Sequence, residues 1–157
     1  MDRLSREQRS WNMGRIPSCN TRPEIIIRSA LHRLGFRFRL HGKALPGKPD
    51  IVLRKWRHVV FVHGCFWHRH SGCKKAYTPK SRIGFWSKKF SQNVARDEAV
   101  QRELERLGWS VSTIWECETD NPRALSEAIR GLAERIKAPL AHEICRSSAM
   151  PGAGAEY

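Results

Sequence analysis

The segment from residue 64 to residue 80 limits most strongly what this chain can fold into. It has neither the alternation of a strand nor the 3.6-residue period of a helix, so burial of one apolar face cannot hold it. Yet His63-Gly-Cys-Phe-Trp-His-Arg-His-Ser-Gly-Cys73 gathers Cys65, His68, His70 and Cys73 within nine residues. Thiolates with imidazole are the usual tetrahedral shell of Zn²⁺. Cys117, at the end of a later β-rich run, can return to this segment and complete a set of three cysteines and one histidine: Cys65, His70, Cys73 and Cys117. Four protein ligands close the shell, and a closed shell is structural: it pins an otherwise shapeless loop to a sheet. The competing reading is a group of buried thiols beside a surface histidine, but spacing this tight favours zinc. Cys19 and Cys145 lie outside any cluster and read as plain thiols.

The rest of the chain is patterned. Ser5-Arg-Glu-Gln8 opens a short basic helix that carries Trp11 and Met13. Thr21-Arg-Pro-Glu24 is a better capping box, with Pro in the first turn. The apolar stripe Ile25, Ile26, Ile27, Ala30, Leu31 and Leu34 follows it and stops at Gly35. Phe36 to Leu40 alternates as a half-buried strand does, and residues 41–49 hold two Gly and two Pro and read as a loop. Asp50-Ile-Val-Leu53 and His58-Val-Val-Phe-Val62 predict an antiparallel hairpin. A helix is expected over 81–107 with a break near its middle, then a strand over 109–115 and an amphipathic helix over 122–137. The order α, β, β, β, α, β, α implies an α/β fold, a mixed sheet flanked by helices. A length of 157 residues suits one domain. The reading is an arm over 1–20, a domain over 21–137 and a loose tail over 138–157.

Charge narrows the partners. The chain has 29 Lys and Arg against 15 Asp and Glu, net +14, and residues 51–96 hold 11 basic residues and no acid. Such a stretch is either a solvated surface or a face for a polyanion. Nucleic acid is the favoured polyanion, because phosphate contacts need Lys and Arg. No apolar run approaches the ~18 residues of a membrane helix. The start lacks an apolar h-region, so a reducing cytoplasm is expected, where cysteines bind metals or stay free.

Asp50 is the only acid between Glu24 and Asp97, so a metal bound in that region must use it. The hairpin would bring Asp50 close to Val62 and His63, with His68 in the loop beside them. A carboxylate beside two imidazoles suits a hydrated Mg²⁺ and a water-activating base, and the Val62 carbonyl offers a further ligand. Several neighbours have two readings. Glu24 occupies the third position of a capping box, which explains it without chemistry. Asp97 either orients a histidine or opens a helical stretch. Glu116 either supports Cys117 or is a surface acid. Phe36, Phe38, Phe61 and Trp109 read as core, whereas a core role is awkward for Phe66 and Trp67, which sit between metal-site residues.

Seven ordered blocks carry a family resemblance: Asn12-Met13, Leu45-Pro-Gly-Lys-Pro-Asp50, Phe61-Val-His-Gly-Cys-Phe-Trp-His68, Phe85-Trp86, Asn93-Val-Ala-Arg-Asp97, Leu107-Gly-Trp109 and Ile114-Trp-Glu-Cys117. The chain resembles the very-short-patch repair (Vsr) endonucleases. The resemblance implies a restriction-endonuclease-like fold with a structural zinc. It implies Mg²⁺-dependent nicking of one DNA strand on the 5′ side of the thymine in T:G mismatches, which arise when 5-methylcytosine deaminates. Asp50 then matches the metal aspartate, the Val62 carbonyl the second metal ligand, His68 the general base, His63 a second imidazole and Glu24 an active-site acid. Cys65, His70, Cys73 and Cys117 match the zinc ligands. Phe66, Trp67 and Trp86 match a wedge entering the duplex from one groove, and Met13 from the other. A monomer acting on mismatched duplex DNA, with MutL and MutS as partners, is implied as well.

Two departures stand out. Phe61-Val-His63 occupies the place where wider relatives of the fold have an acidic-x-Lys triplet, and Arg69 with Ser71-Gly72 alters the spacing of the zinc segment. A non-catalytic zinc-stabilised nucleic-acid-binding module would explain the charge and the cysteines, but not Asp50 with two further histidines. A nuclease of the same fold without mismatch selectivity would keep the metal chemistry.

Overall fold

The computed structural model describes residues 7, 8, 11, 14, 15 and 19–138. Met13, Cys145 and most of the expected arm and tail lie outside them. The first complete element is α1 (Arg22–Arg33). Glu24 reaches back to accept from the Thr21 N–H at 3.3 Å and the Thr21 hydroxyl at 2.9 Å, the acidic half of the expected capping box. The helix ends in a Schellman turn: Gly35 takes φ +85°, its N–H donates to His32 O, and the Phe36 N–H donates to Leu31 O. That turn draws Phe36 into the core, with 5% exposure. It also explains why β1 (Arg39–Leu40) is shorter than the alternation of 36–40 suggests: the first residues of the run finish the helix.

The next elements are β2 (Ile51–Leu53), β3 (His58–His63), the short helix α2 (Cys65–His68), the long helix α3 (Ile83–Arg106), β4 (Ser110–Trp115) and α4 (Pro122–Lys137). The sheet runs β1-β2-β3-β4. β1 and β2 pair antiparallel, and so do β2 and β3, with Ile51 opposite Val60. β3 and β4 pair parallel over six residues, from His58 opposite Ser110 to His63 opposite Trp115. The expected hairpin and mixed sheet are both present.

Alternation divides the sheet into two faces. Ile51, Leu53, Val60, Val62 and Ile114 pack under α1 and α4 with Ile27, Leu31, Ile129, Leu132 and Ile136. Val52, Val59, Phe61, Trp109 and Val111 face α3 through Val100 and Leu104. Helix α3 shows no break. Its inward stripe runs through Trp86, Phe90, Asn93, Asp97, Val100 and Leu104, at helical spacing throughout. The two polar members make it look interrupted, yet each has a partner: Asn93 Nδ2 donates to Trp67 O at 2.9 Å, and Asp97 pairs with His68. A second Schellman turn at Gly108, φ +78°, closes the helix. Arg57 then donates to the exposed carbonyls of Leu107 and Gly108. Among the described residues no helix is long and apolar enough to cross a membrane.

One buried polar group sits inside the larger core. His58 Nε2 lies 2.9 Å from Ser112 Oγ, which also accepts from Arg135 Nε. Burial, then the charge of Arg135, pushes the His58 imidazole down from 6.5 to about 4. Between those values the unfolded chain binds a proton that the folded chain refuses. Stability from this site is therefore complete above about pH 6.5 and is lost on acidification toward pH 4. His63 titrates in the same window. We expect His58→Gln, which keeps a polar partner for Ser112, to show a shallower fall in urea midpoint between pH 6.5 and 4.5 than the parent at equal metal content. Equal slopes would assign the acid sensitivity elsewhere.

Candidate active site and metal clusters

Topology brings the chemistry to one end of the sheet. The end of β1, the start of β2 and the ends of β3 and β4 all meet there, because β2 alone runs the opposite way. Three groups of metal-capable side chains occur among the described residues: Cys65, His70, Cys73 and Cys117; His63, His68 and Asp97; and Glu24, His41 and Asp50.

The first group is the one expected from spacing. Its donor atoms lie within 4.8 Å of one another, with Cys117 Sγ 3.2 Å and Cys65 Sγ 3.7 Å from His70 Nδ1. The segment is less shapeless than the sequence suggests. α2 makes one helical turn, ends at Arg69 with φ +57°, and turns His70 back so that its N–H meets Cys65 O. Trp115 stacks flat on His70, centroids 4.3 Å apart and planes 5° apart. Glu116 accepts from the Cys65 N–H and from Lys75, so it supports the loop. Burial and the neighbouring thiols push Cys117 up to about 12, and burial raises Cys65. Cys73 goes the other way, lowered by the Lys75 backbone N–H. Three crowded sulfurs cannot all ionise without a cation between them. A soft donor set of three sulfurs and one imidazole nitrogen fits Zn²⁺.

The second group was legible only in part. His68, the last residue of α2, places Nδ1 2.5 Å from Asp97 Oδ2. That contact resolves the choice left open for Asp97, and it leaves His68 Nε2 as the free ring nitrogen. His63 lies flat on His68, centroids 3.8 Å apart, with Trp115 against its edge at 5.5 Å. Burial, followed by repulsion from His68, lowers His63 to about 4, so it is neutral at pH 7. A groove lined by Phe61, His63, His68, Asp97, Thr113 and Trp115 opens between the sheet and α3.

The third group contains Asp50, and here the structure refines the expectation. Asp50 Oδ2 accepts the Val62 N–H at 2.8 Å. The N–H and C=O of one strand residue point to the same side, so the Val62 carbonyl emerges on the Asp50 side too. The side chains grouped with Asp50 are Glu24 and His41, not the two imidazoles. Burial, opposed by the Val62 N–H, raises the Asp50 carboxyl; Glu24 adds to the rise, and Arg28 and His41 counter it. Glu24 is buried and heavily engaged. Asn20 N–H and Arg28 Nη2 reach Oε2 at 2.9 and 2.6 Å, while both Thr21 donors reach Oε1. Nothing in the sequence marked His41 except its place nine residues before Asp50 in a Gly/Pro loop.

Phe66, Trp67 and Trp86 form a half-buried aromatic cluster between α2 and α3. Phe66 sits edge-on to Trp67, Trp86 and Phe90 at 5.0, 5.4 and 5.2 Å, and Tyr77 lies 5.1 Å away. Arg69 lies 4.4 Å from the adjoining Phe90 ring.

A helix-flanked mixed sheet gathers these clusters at one end, and comparison with known proteins gives the class: a DNA endonuclease. Residues 1–75 match the family model described as DNA mismatch endonuclease Vsr. The type II nicking enzyme V.XorIIP of Xanthomonas oryzae pv. oryzae is 49% identical over 133 residues, covering 85% of this chain and 97% of the relative. The type II nicking enzyme V.NmeAIP of Neisseria meningitidis is 43% identical over 136 residues, covering 87% and 96%. The DNA mismatch endonuclease Vsr of Escherichia coli is 39% identical over 129 residues, covering 82% and 81%. The chain belongs to the Vsr family of DNA mismatch endonucleases.

The thiol cluster makes a measurable prediction. Protonated thiols must lose their protons to bind a metal, so Zn²⁺ uptake should release protons and weaken as pH falls. Chelation should lower Tm by at least ~5 °C, the effect of about 2 kcal/mol in a domain of this size. Cys73→Ala should bind zinc at less than one equivalent by elemental analysis. A full equivalent in that variant would remove Cys73 from the shell.

Proposed function

We propose that this protein nicks one strand of duplex DNA on the 5′ side of the thymine in a T:G mismatch. The observation that carries the reading is the Asp97-held imidazole of His68 at the same sheet end as the half-buried Asp50 carboxylate. Asp97 accepts from Nδ1 and leaves Nε2 to take a proton from a water beside the scissile phosphate. His63, kept neutral and stacked on His68, limits that ring's rotation and orients water by hydrogen bonding. Asp50 and the Val62 carbonyl are oxygen donors of the kind Mg²⁺ takes, and the raised Asp50 carboxyl is stabilised as an anion by such a cation. Asp50 and the Val62 carbonyl would hold Mg²⁺, which would supply charge stabilisation for the phosphate and the leaving oxygen. Glu24 serves as an acid of the site by holding Arg28 against Asp50 rather than as a direct ligand. Cys65, His70, Cys73 and Cys117 would hold Zn²⁺, which would secure the loop that carries His68.

Selectivity follows from energy. Opening a base step costs roughly a few kcal/mol, and less where the pair is mismatched. Phe66, Trp67 and Trp86 present the apolar surface that would enter the stack, with Met13 of the arm approaching from the opposite groove. The basic stretch 51–96 supplies phosphate contacts around them.

The decisive assay compares Mg²⁺-dependent cleavage of a T:G duplex with that of its fully paired twin. Nicking of the T:G strand alone is expected. Equal cutting of both duplexes would indicate a nuclease without mismatch selectivity, and no cutting a binding module. His68→Ala should lower the single-turnover nicking rate by about 10²–10⁴-fold. Asp50→Asn should abolish nicking while T:G binding stays within about threefold. An Asp50→Asn protein that nicks at the parent rate would overturn the metal assignment.

A further inference from the structure

We infer that His41 is a metal ligand beside Asp50, which makes this centre a mixed oxygen–nitrogen site suited to a first-row transition-metal ion such as Mn²⁺ over Mg²⁺. The inference rests on the reading that Asp50 holds the catalytic cation. Three observations carry it. First, the donor atoms of Glu24, His41 and Asp50 lie within 4.8 Å of one another. Two donors about 2.2 Å from one ion stand at most ~4.4 Å apart, so this spacing closes on an ion with a shift of a few tenths of an ångström.

Second, the acceptor capacity of the group is unevenly free. A carboxylate has about four lone-pair sites. Glu24 already receives four donors, from Asn20, Arg28 and twice from Thr21. It has none left for a cation. Asp50 receives one, from Val62. The His41 ring makes no hydrogen bond among the described residues. The open donors are therefore one carboxylate and one imidazole.

Third, the backbone fixes His41 beside Asp50. His41 follows β1 with φ +50°, a region that His, Asn and Asp enter more readily than other side chains. Its N–H donates to the Asp50 carbonyl at 3.2 Å, and the Gly42 N–H donates to Pro49 O at 2.9 Å. The β1–β2 ladder thus continues past the strands and locks His41 against Asp50. An imidazole suits transition metals, whereas Mg²⁺ prefers an all-oxygen shell.

The test measures cation binding directly. Full-length zinc-loaded protein without DNA is titrated with Mn²⁺, free Mn²⁺ is followed by electron paramagnetic resonance, and Mg²⁺ is measured by competition. His41→Asn suits the left-handed backbone and removes the imidazole, and His41→Gly does the same with no side chain. Both should weaken Mn²⁺ binding at least about tenfold and Mg²⁺ binding less than about threefold. Unchanged Mn²⁺ affinity in both folded variants would overturn the inference and leave the Asp50 reading standing. Asp50→Asn should lose both cations. If it retains them, the Asp50 reading itself is wrong.

Discussion

The parallel pairing of β3 with β4 is the constraint on which the rest depends. Antiparallel neighbours would place the end of one strand beside the start of the other. The parallel register instead sets His63 beside Trp115. It delivers Glu116 and Cys117 to the loop that begins at Gly64, about fifty residues earlier in the chain. Trp115 then lies flat on His70 of the thiol cluster and edge-on to His63 of the imidazole pair. The thiol cluster and the imidazole pair thus share one aromatic wall. Parallel pairing of distant segments forms late and slowly, because loop closure must precede the contacts that offset it. A ligand that binds only the assembled end would hold that topology together.

The acids at this end complement the charge pattern. The longest carboxylate-free stretch of the chain ends at Asp97, and Asp50 and Glu24 precede it. Those three acids are the ones gathered around the imidazoles and the Val62 amide. Of the basic stretch between them, Arg54, Lys55, Lys74, Lys80, Lys88 and Lys89 are exposed, while the few carboxylates stand where a cation or an imidazole needs one. Arg28 shows how closely this is balanced. It closes on Glu24 at 2.6 Å and still acts on Asp50, keeping two neighbouring carboxylates from repelling each other unopposed.

Much of this could be read from residues alone, and the misses have common causes. The hairpin, the mixed sheet and the thiol cluster follow from local pattern, because alternation and ligand spacing are properties of short segments. The grouping of Asp50 with His41 is not local: it depends on how far the β1–β2 ladder extends beyond the strands. Asp97 has an adequate local explanation in helix chemistry, so its contact with His68 needed three dimensions. The expected break in α3 is absent, although Asn93 and Asp97 are polar. They sit on the buried stripe because each has a partner on α2. Phe36 illustrates the opposite error, where a strand-like alternation began with residues that a Schellman turn had already claimed.

The continuity of α3 has a mechanical consequence. Trp86 and Asp97 stand eleven residues apart on one uninterrupted helix, about 16 Å along its axis. A hydrogen-bonded helix is stiff over that length. The carboxylate that holds His68 therefore stands at a fixed distance from Trp86. Gly47 touches the same rod further on: a Cβ there would stand 2.4 Å from Val100. The loop that leads into Asp50 therefore rests on the helix that carries Asp97. One helix thus bears on the loop before Asp50 and carries Asp97, and a kink in its middle would have disconnected them.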